Sequence, residues 1–398
     1  MSTRNALLCL AAIAISPVAL RAQGLVAVQN YSADFKNEIP FQVNVTAQGG
    51  YDTLNYKANP LGSFESWFLQ AGIGAVYTRP DQTTPLSFSL DTSVVNYIDG
   101  MPRFDDTFYN VRAALNFEHR FSERLRISNN MLLTYGMEPN NAFGFGGSTT
   151  LWNGQYFYGY NNFNVSYAWT PRFSTTTSYT IDGTIYDDDV IGNAENRYSH
   201  LFAQQFAYAI NQQTSLTAEY RYRMTIFDSA PTKDYHSHFA LVGVDHAWSS
   251  RTSGSVRVGA EFYENDSTSN TAPYAEAALN YTVDRQTYAR WFASLGYGAA
   301  ELGGFASRYG LNTGLQVNHQ IDKRLSVNGG ISYGYSTFDN PGGVDGREHS
   351  IFLNAGLGYQ VLDNLMLNAQ YSYSTLNSND VLREFDRHRI SLGATASF

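Results

Sequence analysis

Along most of this chain, apolar and polar residues alternate one by one. At the end, Ile390, Leu392, Ala394, Ala396 and Phe398 alternate with Arg389, Ser391, Gly393, Thr395 and Ser397. Upstream, Leu365, Leu367, Ala369, Tyr371 and Tyr373 alternate with Met366, Asn368, Gln370, Ser372 and Ser374. Leu325, Val327, Ile331, Tyr333 and Tyr335 do the same against Ser326, Asn328, Ser332 and Ser336. Side chains on a strand point to opposite faces in turn, so this period of two predicts half-buried strands and fits no helix. The parity also predicts facing. Leu325, Val327, Ile331, Leu367, Tyr371, Ile390 and Leu392 belong to one side; Asn328, Ser332, Asn368, Gln370, Arg389 and Ser391 belong to the other.

The pattern recurs at roughly twenty-residue spacing and predicts about eighteen strands, an even number that puts both ends on one side. Examples are Phe41–Leu54, Trp67–Thr78, Phe108–Phe121, Leu216–Phe227, His238–Trp248, Tyr274–Val283, Ser350–Val361 and Arg387–Phe398. Connections alternate in length. Ser122–Arg124, Pro171–Arg172, Asn211–Thr214, Ser249–Thr252 and Asp322–Arg324 are short; Gly136–Gln155, Tyr186–Ser199 and Leu376–Asp386 are long. Segments of about ten to fourteen residues match a tilted strand crossing a bilayer, whereas soluble strands average about five or six. In lipid, an open sheet edge leaves backbone groups unpaired at several kcal/mol each, so the sheet must close. The expected fold is all-β: a transmembrane antiparallel up-and-down barrel of 16–18 strands, with short periplasmic turns and longer outer loops. Aromatics near the turns (Phe121, Trp169, Phe173, Trp248, Phe398) and near the loops (Tyr135, Tyr156, Phe227, Tyr297, Tyr373) predict two interfacial belts.

Composition agrees. Aromatics are 15%, with 29 Tyr and 25 Phe, and charged residues are 15%, against about 25% for soluble domains. The net charge of −9 argues against a nucleic-acid partner. Residues 1–22 read as a signal peptide: Arg4, an apolar run from Ala6 to Leu20, and Ala22 before the expected cleavage. Residues 23–40 form a short periplasmic leader, and 41–398 form the barrel. Cys9 is the only cysteine, which excludes a disulfide scaffold and a thiolate zinc site.

The runs SYAWTPRFSTTTSYT (Ser166 to Thr180) and GVDHAWSSRTSGSVRVGAEF (Gly243 to Phe262), the turns HRFSERLRISNN and NHQIDKRLSVNGG, and the terminal phenylalanine resemble the putative β-barrel porin type 2 family. The resemblance extends over most of the chain from about Asp105. It implies a channel in the outer membrane of a Gram-negative cell, with lipid and lipopolysaccharide around it. Some family members accompany exopolysaccharide export genes, so export is the alternative function. The terminal Phe398 resembles the signal read by the barrel-assembly machinery.

The lumen face, by parity, holds Arg112, Glu118, Arg126, Glu219, Arg221, Arg223, Arg257, Glu261, Glu276, Arg290, Arg308 and Arg389. An arginine at mid-depth on the lipid side costs about 2–4 kcal/mol, so these face water or pair with acids. Counted on their own, the arginines exceed the acids, which predicts a basic lumen and a weak anion preference. The longest connection, Gly136–Gln155, carries Glu138, Phe143 and Phe145 beside several glycines; folded inward, it would narrow the pore. Its GFGG is no phosphate loop, because neither lysine nor a strand–helix pair accompanies it. Asp187–Asp189 read as a solvated acidic loop, and His236, His238 and His246 as rim residues. No metal, cofactor or catalytic set is expected, and no enzyme. The expectation is passive diffusion of small hydrophilic solutes. A structural or adhesive barrel is the third reading, recognisable by a lumen filled with side chains. The oligomeric state stays open, a homo-oligomer included.

Overall fold

The computed structural model describes residues 40–57, 63–100, 106–137, 155–266, 268–282, 286–298, 307–339, 345–379, 381 and 384–398. The signal peptide, nearly all of the leader, and Glu138, Phe143 and Phe145 lie outside the described residues. The described residues form eighteen strands. The first nine are β1 (Phe41–Tyr56), β2 (Phe64–Arg79), β3 (Leu86–Tyr97), β4 (Thr107–Arg120), β5 (Leu125–Met137), β6 (Gln155–Ala168), β7 (Phe173–Tyr186), β8 (Arg197–Ala209) and β9 (Thr214–Phe227). The second nine are β10 (Tyr235–Ala247), β11 (Thr252–Asn265), β12 (Ser269–Thr282), β13 (Thr287–Gly298), β14 (Ser307–Gln320), β15 (Leu325–Asp339), β16 (Gly346–Leu362), β17 (Leu365–Ser378) and β18 (Phe385–Ser397). A short helix, α1 (Asp189–Glu195), sits between β7 and β8, and a 3-10 turn (Pro231–Lys233) lies between β9 and β10.

Each strand pairs antiparallel with the next, and β1 pairs with both β2 and β18, so the sheet closes on itself. Among the described residues no helix is long and apolar enough to cross a membrane; the crossing is made by strands. The predicted facing holds. Ile331, Leu367, Tyr371, Ile390 and Leu392 are exposed on the outside, while Asn368 and Ser391 are buried on the inside. Arg389 turns inward too, its guanidinium 4.1 Å from the centroid of buried Phe68.

The short turns share one design. Ser122, Thr170, Asn211, Ser249 and Asp322 each accept hydrogen bonds from the N–H groups two and three residues on. Such side chains mimic a backbone turn, which is why Ser, Thr, Asn and Asp recur there. The residue before each one (Phe121, Trp169, Ile210, Trp248, Ile321) is large and exposed, making the interfacial belt expected at this end.

The belt at the long-loop end differs from the expectation. Tyr156 and Phe227 are buried and face inward. The outward ring is built instead from tyrosine–histidine pairs. The hydroxyls of Tyr179, Tyr220, Tyr333 and Tyr371 lie 2.7, 2.7, 2.8 and 2.9 Å from Nδ1 of His200, His238, His349 and His388. Both residue types have an apolar body and a polar tip, which suits the headgroup boundary.

Candidate functional site: the lumen face

The inner face carries three kinds of surface. The first is neutral. Gln48 Nε2 donates to Gln70 Oε1 at 2.6 Å, Gln70 Nε2 to Ser93 Oγ at 2.9 Å, and Asn110 Nδ2 reaches Ser93 Oγ at 3.4 Å. This ladder crosses β1 to β4. A second ladder joins β6 and β7: Asn162 donates to Thr180, Asn164 to Asn162, and Ser178 to Asn164, all within 2.6–2.7 Å.

The second surface is ionic. Arg221 binds Glu219 (2.7 Å) and Glu276 (2.7 and 3.0 Å), and Tyr274 donates its hydroxyl to Glu276 at 2.8 Å. Arg257 donates to both carboxylate oxygens of Asp245, at 2.9 and 3.0 Å, with Glu219 3.8 Å away. Gly243 makes this possible. A Cβ there would sit 2.5 Å from Arg257 Cδ, in the path of the arginine stem. Also on the inner face, at the β1–β18 closure, Asp52 accepts from Arg387 at 2.9 and 2.7 Å and from the Tyr97 hydroxyl at 2.8 Å, with Arg389 at 3.9 Å. Asp52 has no solvent exposure at all.

The third surface is apolar and lies toward the long-loop end. Leu54, Phe64, Phe68, Val95, Tyr97, Phe108, Leu376 and Phe385 form one buried cluster. Tyr156, Tyr186 and Ile191 of α1 form a second, and Phe227, Tyr235 and Tyr263 a third. The described ends of the long loops pack against these walls. Lys233 ties its ammonium to buried Glu195 at 2.9 Å, and Asp188 caps α1 by accepting from the N–H of Ile191 at 2.9 Å. One of the three aspartates of 187–189 is therefore a helix cap.

Residues 239–398 match the family described as Putative beta-barrel porin 2. The porin match runs from within β10 through β18. It thus covers the Arg221 partner Glu276, the Arg257–Asp245 pair and the closing strand. No curated protein matches the sequence. Among solved structures, the chain is similar to the Acinetobacter baumannii protein OccAB4, at 12% identity over 91% of this chain and 99% of that one, TM-score 0.45. It is also similar to Pseudomonas aeruginosa OpdK, solved with vanillate, at 10% identity over 90% and 99%, TM-score 0.45. A third is P. aeruginosa OccK9 (OpdG), at 11% identity over 90% and 98%, TM-score 0.46. With its closed sheet, outward apolar band and porin match, the chain is an outer-membrane β-barrel.

Most of the charged residues singled out from sequence do sit on this inner face. Glu118 accepts from Arg120 at 2.6 Å. Arg112 lies in register with Asp91, and Arg126 with Arg120. Arg223 places its guanidinium 5.7 Å from the Phe239 ring centroid, and Arg290 is buried between Asn280 and Gln316 in register. Arg308 lies near the outer end of β14, opposite Phe338. Glu261 serves a different purpose, accepting the backbone N–H of Tyr297 at 2.8 Å. Among the inward acids that sequence reasoning missed are Asp52, Asp91, Asp182, Asp245 and Glu348. Parity against their registered partners would have found them. Asp52 faces Arg389, Asp91 faces Arg112, and Asp245 stands two residues along from the Arg257 partner Gly243. Of the histidines, His246 lies 2.9 Å from the Thr214 hydroxyl, and His236 lies 3.3 Å from Glu264 at the rim. Among the described residues no cluster of His, Cys, Asp or Glu is arranged to hold a metal.

Proposed function

We propose that the barrel is a porin-like channel for passive diffusion of small hydrophilic solutes, embedded among outer-membrane lipid and lipopolysaccharide. The observation that carries this reading is the inward, half-exposed amide and hydroxyl ladder of Gln48, Gln70, Ser93 and Asn110, a polar lining on the inside of a closed sheet. Arg112, Arg120, Arg221, Arg257 and Arg387 stand beside acids, among them Asp91, Asp245 and Asp52, which sequence reading missed. That pairing leaves little uncompensated charge, so the expected ion preference is weak, with any anion bias carried by Arg221 and Arg223. The barrel-assembly machinery is proposed to read the exposed terminal ring of Phe398. Glu138, Phe143 and Phe145 remain proposed constriction residues of the 136–155 loop.

Planar-bilayer recording of the refolded chain tests the reading. Discrete conductance steps are expected, and R221Q/R223Q should move the reversal potential in a salt gradient toward cations. An unchanged potential would make these two arginines wall braces only. The three apolar clusters at the outer end favour a second reading, a structural barrel with an occluded lumen. A chain that inserts into the bilayer but never conducts would establish that second reading.

A further inference from the structure

At the β12–β13 boundary both strands outrun the ladder they share. The β12–β13 ladder runs from Thr282↔Tyr288 to Ala275↔Leu295 and stops. Beyond it, β12 continues to Ser269, paired only with β11, and β13 continues to Gly298, paired only with β14. Extending the register places Pro273 opposite Tyr297. Proline has no N–H to give, so the next rung is not formed. Side chains take over two of the groups left behind. The Tyr297 N–H, which a full rung would aim at the Pro273 carbonyl, donates instead to Glu261 Oε2 from β11, at 2.8 Å. The Pro273 carbonyl accepts the hydroxyl of Tyr309 from β14, at 2.7 Å. The end of β13 also presses onto the inner wall. A Cβ on Gly296 would lie 2.7 Å from the Tyr274 ring and 3.0 Å from Glu261 Oε2. The Tyr297 ring lies 4.7 Å from that of Tyr263 and 5.1 Å from that of Tyr309.

We propose that this seam is a side door: the outer ends of β12 and β13 part laterally, admitting amphiphiles with an apolar tail between lumen and outer leaflet. A membrane wall normally keeps every rung, because unpaired backbone groups in lipid are expensive. Here one rung is replaced by two side-chain clasps, which rotamer changes can release without unzipping a ladder. The seam leads to the aromatic cluster of Phe227, Tyr235 and Tyr263. That surface suits an acyl tail, and the tyrosine hydroxyls suit a polar head. A hydrophilic solute has the axial route and needs no opening in the wall.

The test uses the full chain in proteoliposomes with a photoreactive diazirine-bearing dodecylphosphocholine, followed by mapping of the labelled residues. Labelling of inward Tyr263 and Tyr235 is expected in the native chain. Pro273→Val restores the missing donor and should lower that inner labelling several-fold. Tyr309→Phe, which removes one clasp, should raise it. Liposome swelling in arabinose should be the same in all three, so a failed door and a failed channel give different results. Labelling confined to outward residues such as Val242 and Val258, or inner labelling equal in all three chains, would overturn the proposal.

Discussion

Asp52 is the carboxylate on which two arginines converge inside the wall. Removing its charge with Asp52→Asn takes away the carboxylate that Arg387 and Arg389 share. A broken buried pair costs about 3–5 kcal/mol, so urea unfolding, followed by the gel shift between folded and unfolded barrel, should move strongly to lower denaturant. A second residue-scale case lies on the lipid side. Asn129 Nδ2 donates to Asn161 Oδ1 at 2.7 Å, both residues are buried, and Asn129 Oδ1 and Asn161 Nδ2 have no partner among the described residues. Replacing both with leucine removes two unsatisfied groups at once and should leave stability unchanged or raised, while Asn161→Leu alone should destabilise by about 1–3 kcal/mol. The same unfolding assay decides. The inward arginines were legible because an arginine on a strand has few tolerable places to point. The acids were not. A lone Asp52 or Asp91 in an alternating strand reads like any other wet-face residue until the neighbouring strand's register is known.

Turns are the elements whose chemistry titrates. The backbone N–H groups of Arg324 and Leu325 hold the Asp322 carboxyl below the ordinary aspartate value, and those of Thr84 and Thr83 do the same for Asp81. A carboxyl with a lowered folded value stabilises fully above the ordinary range. That contribution is lost as pH falls through the lowered value. Acidification should therefore loosen these two hairpins. Asp81→Asn with Asp322→Asn keeps the acceptors but not the charge, and should flatten the dependence of unfolding on pH below the ordinary aspartate range. A double variant as acid-sensitive as the native chain would contradict this. Strand positions were legible at the turn end, where alternation is clean. They came out short at the loop end: β12 starts at Ser269 and β16 at Gly346, several residues before the alternation suggests. There the inner face turns aromatic, as with Phe64, Tyr97, Phe108 and Tyr235, so apolar residues occupy both faces and the period of two fades. The same change misassigned Tyr156 and Phe227 to the outer belt.

At the scale of the whole molecule, the two faces should respond differently to charge. Leu392 is exposed on the outside near the middle of β18, so Leu392→Arg should cost about 2–4 kcal/mol in refolding into lipid. Gln316→Arg, on the inner face, should cost less and act on conductance instead. Equal losses would mean the facing is wrong. The sheet is sealed by residues far apart in the chain. The N–H of Val43 donates to the carbonyl of Phe398 at 2.9 Å, and the N–H of Phe398 returns a bond to Val43 at 2.8 Å. The partner of the first strand thus lies far along the chain, and one edge of β1 stays bare until β18 reaches it. Bringing such distant ends together carries an entropic cost that grows only with the logarithm of the intervening length, so doubling a loop adds about 0.6 kcal/mol. The fold is accordingly forgiving of long insertions between strands and unforgiving of a ragged tail. Trimming Phe398 should deplete assembled protein in the outer membrane more than inserting ten residues after Asp228 does.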